Sequence, residues 1–230
     1  MKAYFITGTD TEVGKTLCSR ALLLAAAKQN VSTLGYKPIA AGCQVTSYGL
    51  RNEDALLLQQ ASSIKLAYEY INPFALYQPI APHIAAKLEG KPVHIDDLSK
   101  AFKKVKLQAK VIIVEGAGGW RLAVNDHQFL SQWVQQEKLP VILVVAMKLG
   151  CLNHAILTYE SILADGLNVV GWMANQMHTV KMPYYQQNID FLKAHIKAPM
   201  IAEIPYMRSS NMADLEGHVN FDFLSEAIEA

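Results

Sequence analysis

The stretch Gly8-Thr-Asp-Thr-Glu-Val-Gly14-Lys15-Thr16 joins a short apolar segment, Tyr4–Thr7, to a segment with Ala and Leu at helical spacing, Thr16–Gln29. A strand, glycines, a lysine-threonine pair and a helix in this order are typical of a phosphate-binding loop. Backbone N–H groups at the start of a helix point toward an anion, and that end of the helix carries about half a positive charge. The stretch therefore predicts a nucleotide phosphate site.

Individual residues of this loop have different expected uses. Gly14 lets the backbone approach phosphate oxygens without a Cβ clash. Lys15 is expected to bring a positive charge to the β- and γ-phosphates of ATP, and Thr16 a hydroxyl to Mg²⁺. Gly8 and Gly14 are one residue farther apart than in the usual G-x-x-x-x-G-K-[ST] pattern. Glu12 would repel phosphate from inside the loop, so it is expected to hold a ribose hydroxyl or a substrate amine.

Apolar segments alternate with helical ones along the chain. Strands are predicted at Tyr4–Thr7, Ser32–Lys37, Val111–Val114, Val141–Ala146, Asn168–Ala174 and Met200–Ile204. Helices are predicted at Thr16–Gln29, Asn52–Gln60, His83–Leu88, Ile95–Val105, Phe129–Glu137, Asn153–Ala164 and Tyr184–Ala194. Strands that are apolar on both faces and alternate with helices indicate a mostly parallel sheet with helices on both faces. The prediction is an α/β fold of the P-loop NTPase type, as a single domain over residues 1–230.

The composition limits the possible partners and compartments. The chain has 230 residues and a formal net charge of +1, which removes the usual electrostatic reason to expect a nucleic-acid partner. Three widely spaced cysteines, Cys18, Cys43 and Cys151, form no CxxC pair and indicate reduced thiols of a cytoplasmic protein. The first residues enter a strand and leave no room for a signal peptide. The longest apolar run, Val141–Met147, falls short of the ~20 residues that a membrane helix needs.

Polar residues follow several of the predicted strands, where ligands bind in parallel sheets. Glu115 ends a strand and is expected to bind Mg²⁺ directly or through water, with a turn carboxylate as the alternative. Asp54 begins a helix, where a carboxylate is more often a partner of the helix dipole than a metal ligand. Lys37 precedes Pro38 at a strand end, where a lysine is usually solvated. From the residues alone, Glu115 is the favoured Mg²⁺ ligand. For Asp54 the favoured role is that of a partner of the helix dipole, and Lys37 is expected to be solvated.

A set of stretches, taken together and in order, resembles the dethiobiotin synthetase family. The stretches are Gly8–Thr16 with its extra residue, Gly35–Pro38, Gly49–Asp54, Glu115–Trp120, Leu139–Val145, Lys148–His154, Gly171–Asn175 and Glu203–Pro205. The resemblance implies an ATP- and Mg²⁺-dependent cyclo-ligase that forms carbon–nitrogen bonds. Its substrates would be 7,8-diaminopelargonic acid and CO₂, which form a carbamate that ATP phosphorylates before a second amine closes the ureido ring. It also implies a homodimer with substrate at the interface.

The resemblance also implies roles for individual residues. Lys37 would neutralise the carbamate and its phosphorylated form, and Lys15 and Thr11 would assist it in catalysis. The implied metal ligands are Thr16, Asp54 and Glu115. The implied nucleotide contacts are Glu12, Val13, Gly14, Lys15, Thr16, Leu17, Glu115, Gly116, Ala117, Gly118, Asn175 at the adenine edge and Pro205 beside the base. The implied substrate contacts are Thr11, Lys37, Ala41, Gly118 and, from the opposing subunit for the carboxylate tail, Gly150, Cys151, Leu152 and Asn153.

Two departures from the family pattern stand out. The family usually has a serine in a Lys-Pro-x-x-Ser-Gly run, and here that position is Ala41. One lost neutral hydrogen bond costs about 0.5–1.5 kcal/mol, which predicts substrate binding weakened by up to roughly tenfold. The segment Gln176–Gln187 also differs, so the tyrosine expected near the substrate tail has only Tyr184 and Tyr185 as candidates.

Two alternatives to a synthetase remain open at this point. A regulatory ATPase that positions septa or partitions plasmids would carry a second lysine five residues before Lys15, where this chain has Asp10. Such a switch would also end in a basic amphipathic helix, whereas Phe221–Ala230 is acidic. A related enzyme with a different amine substrate is the other alternative, and Ala41 keeps it open.

Overall fold

The computed structural model describes residues 1–207 and 214–220, so the acidic segment Phe221–Ala230 lies outside the described residues. The strands in chain order are β1 (Lys2–Gly8), β2 (Thr33–Tyr36), β3 (Ile39–Ala40), β4 (Gln44–Thr46), β5 (Gly49–Arg51), β6 (Phe74–Ala75), β7 (Val111–Glu115), β8 (Val141–Ala146), β9 (Val169–Asn175) and β10 (Met200–Ile204). Six of them form a parallel sheet in the order β10-β9-β8-β1-β7-β2. The predicted parallel sheet is therefore confirmed.

Helices cover both faces of this sheet. They are α1 (Lys15–Lys28), α2 (Glu53–Ala61), α3 (Tyr68–Ile71), α4 (Pro82–Leu88), α5 (Ile95–Val105), α6 (Leu130–Gln136), α7 (Cys151–Ala164) and α8 (Tyr185–His195), followed by a 3-10 turn at Leu215–His218. On one face, α1 packs its buried Leu22 and Leu23 against the sheet, together with Leu215. The other face is covered chiefly by α5 to α8.

Large buried side chains explain why the second face is so well covered. Trp133 of α6 and Phe102 of α5 are fully buried, with their rings edge to face and 5.6 Å between centroids. The Phe102 ring also lies 5.4 Å from that of Tyr36 on β2. Burying one such side chain contributes roughly 1.5–3 kcal/mol, so these aromatics tie α5 and α6 to the sheet.

The observed elements agree with the predicted ones, with small shifts at their ends. The shifts reach two residues at the start of β1, which begins at Lys2 rather than at the predicted Tyr4, and of α7, which begins at Cys151 rather than at the predicted Asn153. The prediction missed the four-residue helix α3 and two small sheets, one formed by β3 and β6 and the other by β4 and β5. Their strands are two or three residues long, which is too short to show an alternating pattern.

The parallel arrangement brings several strand ends to one edge of the sheet. β1 ends at Gly8, β7 at Glu115 and β9 at Asn175, and all three strands run in the same direction. These ends belong to neighbouring or nearby strands because β1 lies between β7 and β8. Within the described ranges, no helix is both long enough and apolar enough to span a membrane.

Candidate active site

The loop between β1 and α1 has the form of a phosphate-binding loop. Gly14 caps α1 with φ 87°, a left-handed conformation that favours glycine, and its carbonyl accepts a hydrogen bond from the Cys18 N–H at 3.0 Å. Lys15 Nζ donates to the carbonyl oxygen of Asp10 at 3.0 Å. The Asp10 side chain accepts from the Thr11 N–H at 2.7 Å. Asp10, at the position of the second lysine of the regulatory ATPases, therefore takes part in shaping the loop.

A side chain from β9 supports this loop from behind. Asn175 Nδ2 donates to the Val13 carbonyl oxygen at 2.9 Å. A Cβ placed on Gly14 would come within 2.0 Å of the same Nδ2 atom. The close approach, and not only the backbone conformation, therefore requires glycine at position 14.

Lys37 lies at the centre of a charge cluster in which Lys37 and Glu115 are buried and the Asp54 side chain is partly exposed. Its Nζ atom is 2.7 Å from Glu115 Oε1 and 3.1 Å from Asp54 Oδ2. Thr16 donates its hydroxyl hydrogen to the same Glu115 Oε1 at 2.8 Å. Lys37 is 3% exposed and Glu115 is fully buried. The expectation of a solvated Lys37 at a strand end is therefore wrong, because two carboxylates distant in sequence surround its ammonium group.

The pKa shifts in this cluster reflect burial and nearby charge. Burial opposes the charge on Lys37, but the Glu115 and Asp54 carboxylates outweigh it and raise the pKa of Lys37 above its ordinary value. Burial also opposes the charge on Asp54, yet the nearby ammonium group of Lys37 lowers its pKa overall. For Lys15, burial and the charge of Lys37 lower the pKa to about 8, against the pull of nearby carboxylates.

A cavity of 830 Å³ joins the two lysines. Its lining residues include Thr11, Glu12, Gly14, Lys15, Thr16, Lys37, Ala41, Asp54, Glu115, Ala117 and Gly118. The predicted catalytic, metal-binding and phosphate-binding side chains therefore meet in one space. The cavity is within the range of small-molecule sites, and its charged groups suit a phosphorylated ligand.

The acidic groups fit a hard divalent cation such as Mg²⁺. Glu115 Oε2 is buried and has no hydrogen-bond partner, a costly arrangement that a cation would relieve. Glu115, Asp54 and Thr16 together offer two carboxylates and a hydroxyl, the oxygen donors that Mg²⁺ accepts alongside water and phosphate. Among the described residues, no group of three or more His, Cys, Asp and Glu side chains is placed to hold a metal.

Comparison with known proteins identifies relatives of this chain that use ATP. A family model described as an AAA domain matches residues 2–213. The ATP-dependent dethiobiotin synthetase BioD of Vibrio parahaemolyticus is 51% identical over 96% of this chain and 96% of its own length. The protein of the same name from Vibrio cholerae is 49% identical over 97% and 96% of the two chains.

The chain belongs to the dethiobiotin synthetase family. This membership confirms the resemblance found in the sequence and identifies the chain as an enzyme.

Solved structures show how widely the fold of this synthetase family is shared. A ParA family ATPase from Chlorobium tepidum covers 100% of this chain and 94% of its own, with a TM-score of 0.57 and 14% identity. The septum site-determining protein MinD from Pyrococcus horikoshii, complexed with Mg-ADP, covers 99% and 90%, with a TM-score of 0.55 and 14% identity. At such identity the likeness shows the P-loop NTPase fold alone.

Other residues implied by the synthetase resemblance lie around the loop rather than in the cavity. Val13 and Gly116 are buried, Leu17 is partly exposed on α1, and none of the three lines the 830 Å³ cavity. Asn175 pairs with Ile204 at the ends of β9 and β10, which brings Pro205 next to it. The Asn175 Oδ1 atom is buried and has no hydrogen-bond partner. The adenine role of Asn175 and the base contact of Pro205 stay predictions.

The segment expected to receive the substrate tail in a synthetase lies elsewhere. Gly150 caps α7, Asn153 is exposed, Leu152 is partly exposed and Cys151 is buried. These residues do not line the 830 Å³ cavity of their own chain. Such a placement fits a contribution to a second copy, which stays a prediction.

The two candidate tyrosines have different surroundings. Tyr184 is 77% exposed, whereas Tyr185 is 7% exposed and its ring lies under Lys181 Nζ at 4.3 Å. A ligand can therefore reach Tyr184 but not the Tyr185 side chain without rearrangement. The role of a tyrosine at the substrate tail stays a prediction for Tyr184.

Sequence reasoning missed one wall of the cavity. The segment Pro79–Pro82 and Leu122 line it together with the charged residues. Pro82 begins α4, and a proline at the first position of a helix was the available signal. This apolar wall offers a surface for the hydrocarbon part of a substrate.

The loop after β7 is anchored at its far end. Trp120 Nε1 donates to Asp165 Oδ2 at 2.8 Å, and Arg121 Nη2 donates to Asp165 Oδ1 at 2.9 Å. Asp165 caps the end of α7. The glycines that follow Glu115 therefore lie between a buried strand and a fixed point, which limits how far the loop can move.

Proposed function

We propose that this chain catalyses the ATP-dependent carboxylation and ring closure of 7,8-diaminopelargonic acid with CO₂, giving dethiobiotin, ADP and phosphate. The observation that carries the proposal is the cluster of Lys37 with Glu115 and Asp54, which shares one cavity with Lys15 of the phosphate loop. An enzyme that phosphorylates an anion needs positive charge on both sides of the transferred phosphoryl group. Family membership supports the choice of substrate.

The first step forms the carbamate. One amine of the substrate attacks the carbon of CO₂, a carbon–nitrogen bond forms, and the nitrogen loses a proton to solvent. The product is an anion that the buried, positively charged Lys37 stabilises. Ala41 and Pro79 line the same cavity and are proposed to contact the carbon chain of the substrate.

The second step transfers the γ-phosphoryl group of ATP to a carbamate oxygen and breaks the bond to ADP. Lys15 holds the β- and γ-phosphates, the backbone N–H groups around Gly14 bind their oxygens, and the Thr11 side chain faces the phosphates or the substrate. Lys37 approaches from the opposite side and neutralises the developing charge on the carbamate. Positioning of this kind supplies most of the catalysis in phosphoryl transfer.

Thr16, Asp54 and Glu115 are proposed to hold Mg²⁺. When bound, the ion neutralises phosphate charge and aligns the phosphates for transfer. Lys37 already contacts both carboxylates, so it also fixes their orientation before any ligand enters.

The last step closes the ring. The second amine attacks the carbamoyl carbon, the carbon–oxygen bond to phosphate breaks, and the nitrogen loses a proton. Gly150 to Asn153 of a second subunit are proposed to bind the substrate carboxylate, since they form the start of α7, and the start of a helix carries a partial positive charge. The functional unit is then a homodimer.

Further parts of the proposal concern the whole chain. Residues 1–230 form one domain, the protein acts in the cytoplasm, and neither nucleic acid nor membrane is a partner. A different diamine is the second candidate substrate. Ala41 favours it because the hydroxyl usual in the family is missing from the cavity wall.

The decisive test measures ADP release by the purified protein with ATP and Mg²⁺. Release should depend on both 7,8-diaminopelargonic acid and bicarbonate, and dethiobiotin should form in equal amount. Diamines of other chain lengths serve as matched substrates. ADP release without either substrate would refute the synthetase proposal, and faster release with another diamine would favour the second candidate.

A further inference from the structure

Tyr68 is a buried phenol whose hydroxyl joins two parts of the chain. Its oxygen accepts a hydrogen bond from the Asn52 N–H at 2.7 Å, and its hydrogen is donated to Asn72 Oδ1 at 3.0 Å. The side chain is 6% exposed, and the guanidinium of Arg51 lies 4.2 Å above its ring. The hydroxyl therefore has two fixed partners and little freedom to move.

Asn72 connects this hydroxyl to Lys37. Its Nδ2 atom donates to the Lys37 carbonyl oxygen at 2.8 Å, while the Lys37 N–H donates to the Ile71 carbonyl oxygen at 2.8 Å. Two consecutive residues at the end of α3 thus hold both polar groups of Lys37's backbone. Asn72 is 3% exposed, so water does not compete for these bonds.

Asn52 connects the same hydroxyl to Asp54. Its side-chain oxygen accepts from the Ala55 N–H at 3.2 Å, which makes it the N-cap of α2. Asp54 lies in the first turn of that helix, and its carboxylate is 3.1 Å from Lys37 Nζ. One phenol oxygen therefore touches both the start of the helix that carries Asp54 and the residue that holds Lys37.

We propose that Tyr68 and Asn72 are positioning residues that fix Lys37 relative to Asp54 for turnover. The inference rests on the proposed function of Lys37. Neither residue lines the 830 Å³ cavity, so neither contacts the reacting atoms. A displacement of about 1 Å in a reacting group can cost on the order of a hundredfold in rate. The loss should fall on kcat and leave nucleotide affinity intact, because the hydrogen bonds of Tyr68 and Asn72 lead to Asn52 and Lys37 rather than to the phosphate loop.

Tyr68→Phe removes only the hydroxyl and keeps the ring under Arg51. We expect kcat to fall about tenfold or more, with the Kd for ADP within about twofold of wild type. Tyr70→Phe is the matched control, because Tyr70 lies in the same helical turn and is 47% exposed. That control should keep the wild-type kcat.

Asn72→Asp keeps the acceptor for Tyr68 and replaces the donor to the Lys37 carbonyl by an oxygen. It should lower kcat at least as much as Tyr68→Phe. The double variant should fall no further than the lower single variant, because both act through one chain of hydrogen bonds. If the two losses in kcat add in the double variant, Tyr68 and Asn72 do not act through one chain of hydrogen bonds.

Several outcomes would refute the inference. If Tyr68→Phe lowers the melting temperature but keeps the kcat of Tyr70→Phe, the hydroxyl has a structural role only. A parallel loss of kcat and ADP affinity would indicate general loosening. If Tyr68→Phe does not fold, Asn72→Asp decides by the same criteria.

The two proposals can fail separately. If wild-type ADP release ignores 7,8-diaminopelargonic acid or bicarbonate, the proposed function fails. The other case has three observations: wild-type ADP release depends on both substrates, Lys37→Ala is inactive, and Tyr68→Phe is as active as Tyr70→Phe. In that case only the positioning inference fails.

Discussion

Two buried lysines line the same cavity, and their pKa values move in opposite directions. Lys15 has a backbone carbonyl as its hydrogen-bond partner, and its pKa is lowered to about 8. Lys37 has two carboxylates at 2.7 and 3.1 Å, and its pKa is raised. Burial is similar, at 7% and 3% exposed, so the partners decide the charge. Among the described residues Lys15 forms no direct ion pair, so a bound phosphate would supply its contacting counter-charge, whereas Lys37 already contacts two carboxylates.

Removal of Lys15 should produce the largest effect. Lys15→Ala deletes the positive charge from the phosphate loop, and we expect ADP formation to fall by at least about a thousandfold, mainly through lost phosphate binding. Steady-state ADP release and ATP titration measure it. Lys28→Ala, at the exposed end of α1, is the control. Turnover retained in Lys15→Ala would contradict the assignment of the loop.

Removal of Lys37 should act on turnover instead. Lys37→Ala leaves the fully buried Glu115 carboxylate without its cation, and we expect kcat to fall about a hundredfold or more while ATP affinity changes little. Lys37→Gln keeps a hydrogen-bond donor without the charge and should also be slow. Loss of one partner of a buried pair costs roughly 3–5 kcal/mol, so a thermal melt must accompany the kinetics. If Lys37→Ala lowers only the affinity for ATP, Lys37 would have the same role as Lys15, and the proposed role at the carbamate would be contradicted.

The pH dependence of nucleotide binding should distinguish the lysines more finely. Phosphate favours the charged form of Lys15, and this form is lost as pH rises through about 8. Between pH 7 and pH 9 the Kd for ATP should therefore rise about tenfold. Titration by calorimetry without divalent cation would detect the change. In Lys15→Ala the same slope should disappear, and a slope that persists would assign the titration to another group.

The smallest effect is expected at Ala41, which lines the cavity. Ala41→Ser restores a hydroxyl, and one neutral hydrogen bond would lower the KM for 7,8-diaminopelargonic acid by up to roughly tenfold. The Kd for ATP should not change, because Ala41 is separate from the phosphate loop. Ala41→Gly, which adds no hydroxyl, is the control. No gain for this diamine but a gain for another would favour the second candidate substrate.

The sequence predicts the phosphate loop, the parallel sheet and Glu115 from local patterns alone. It does not predict the burial of Lys37, because its partner Glu115 is 78 residues away. Only the family resemblance assigned Lys37 and Asp54 to the site. The Tyr68–Asn72 bonds had no local signal, since α3 has four residues and shows no periodicity. Contacts between segments that are distant in the chain and show no periodicity of their own cannot be predicted from local sequence patterns.

Asn175 holds Val13 through a side-chain bond from β9, and its amide fills the space that a side chain at Gly14 would need. The curvature of the loop is thus set by folding, before nucleotide arrives. Ordering one free backbone residue costs roughly 1–2 kcal/mol in conformational entropy. A loop ordered in advance has no such cost on binding. Nucleotide association should therefore proceed in a single kinetic phase, without a slow ordering step.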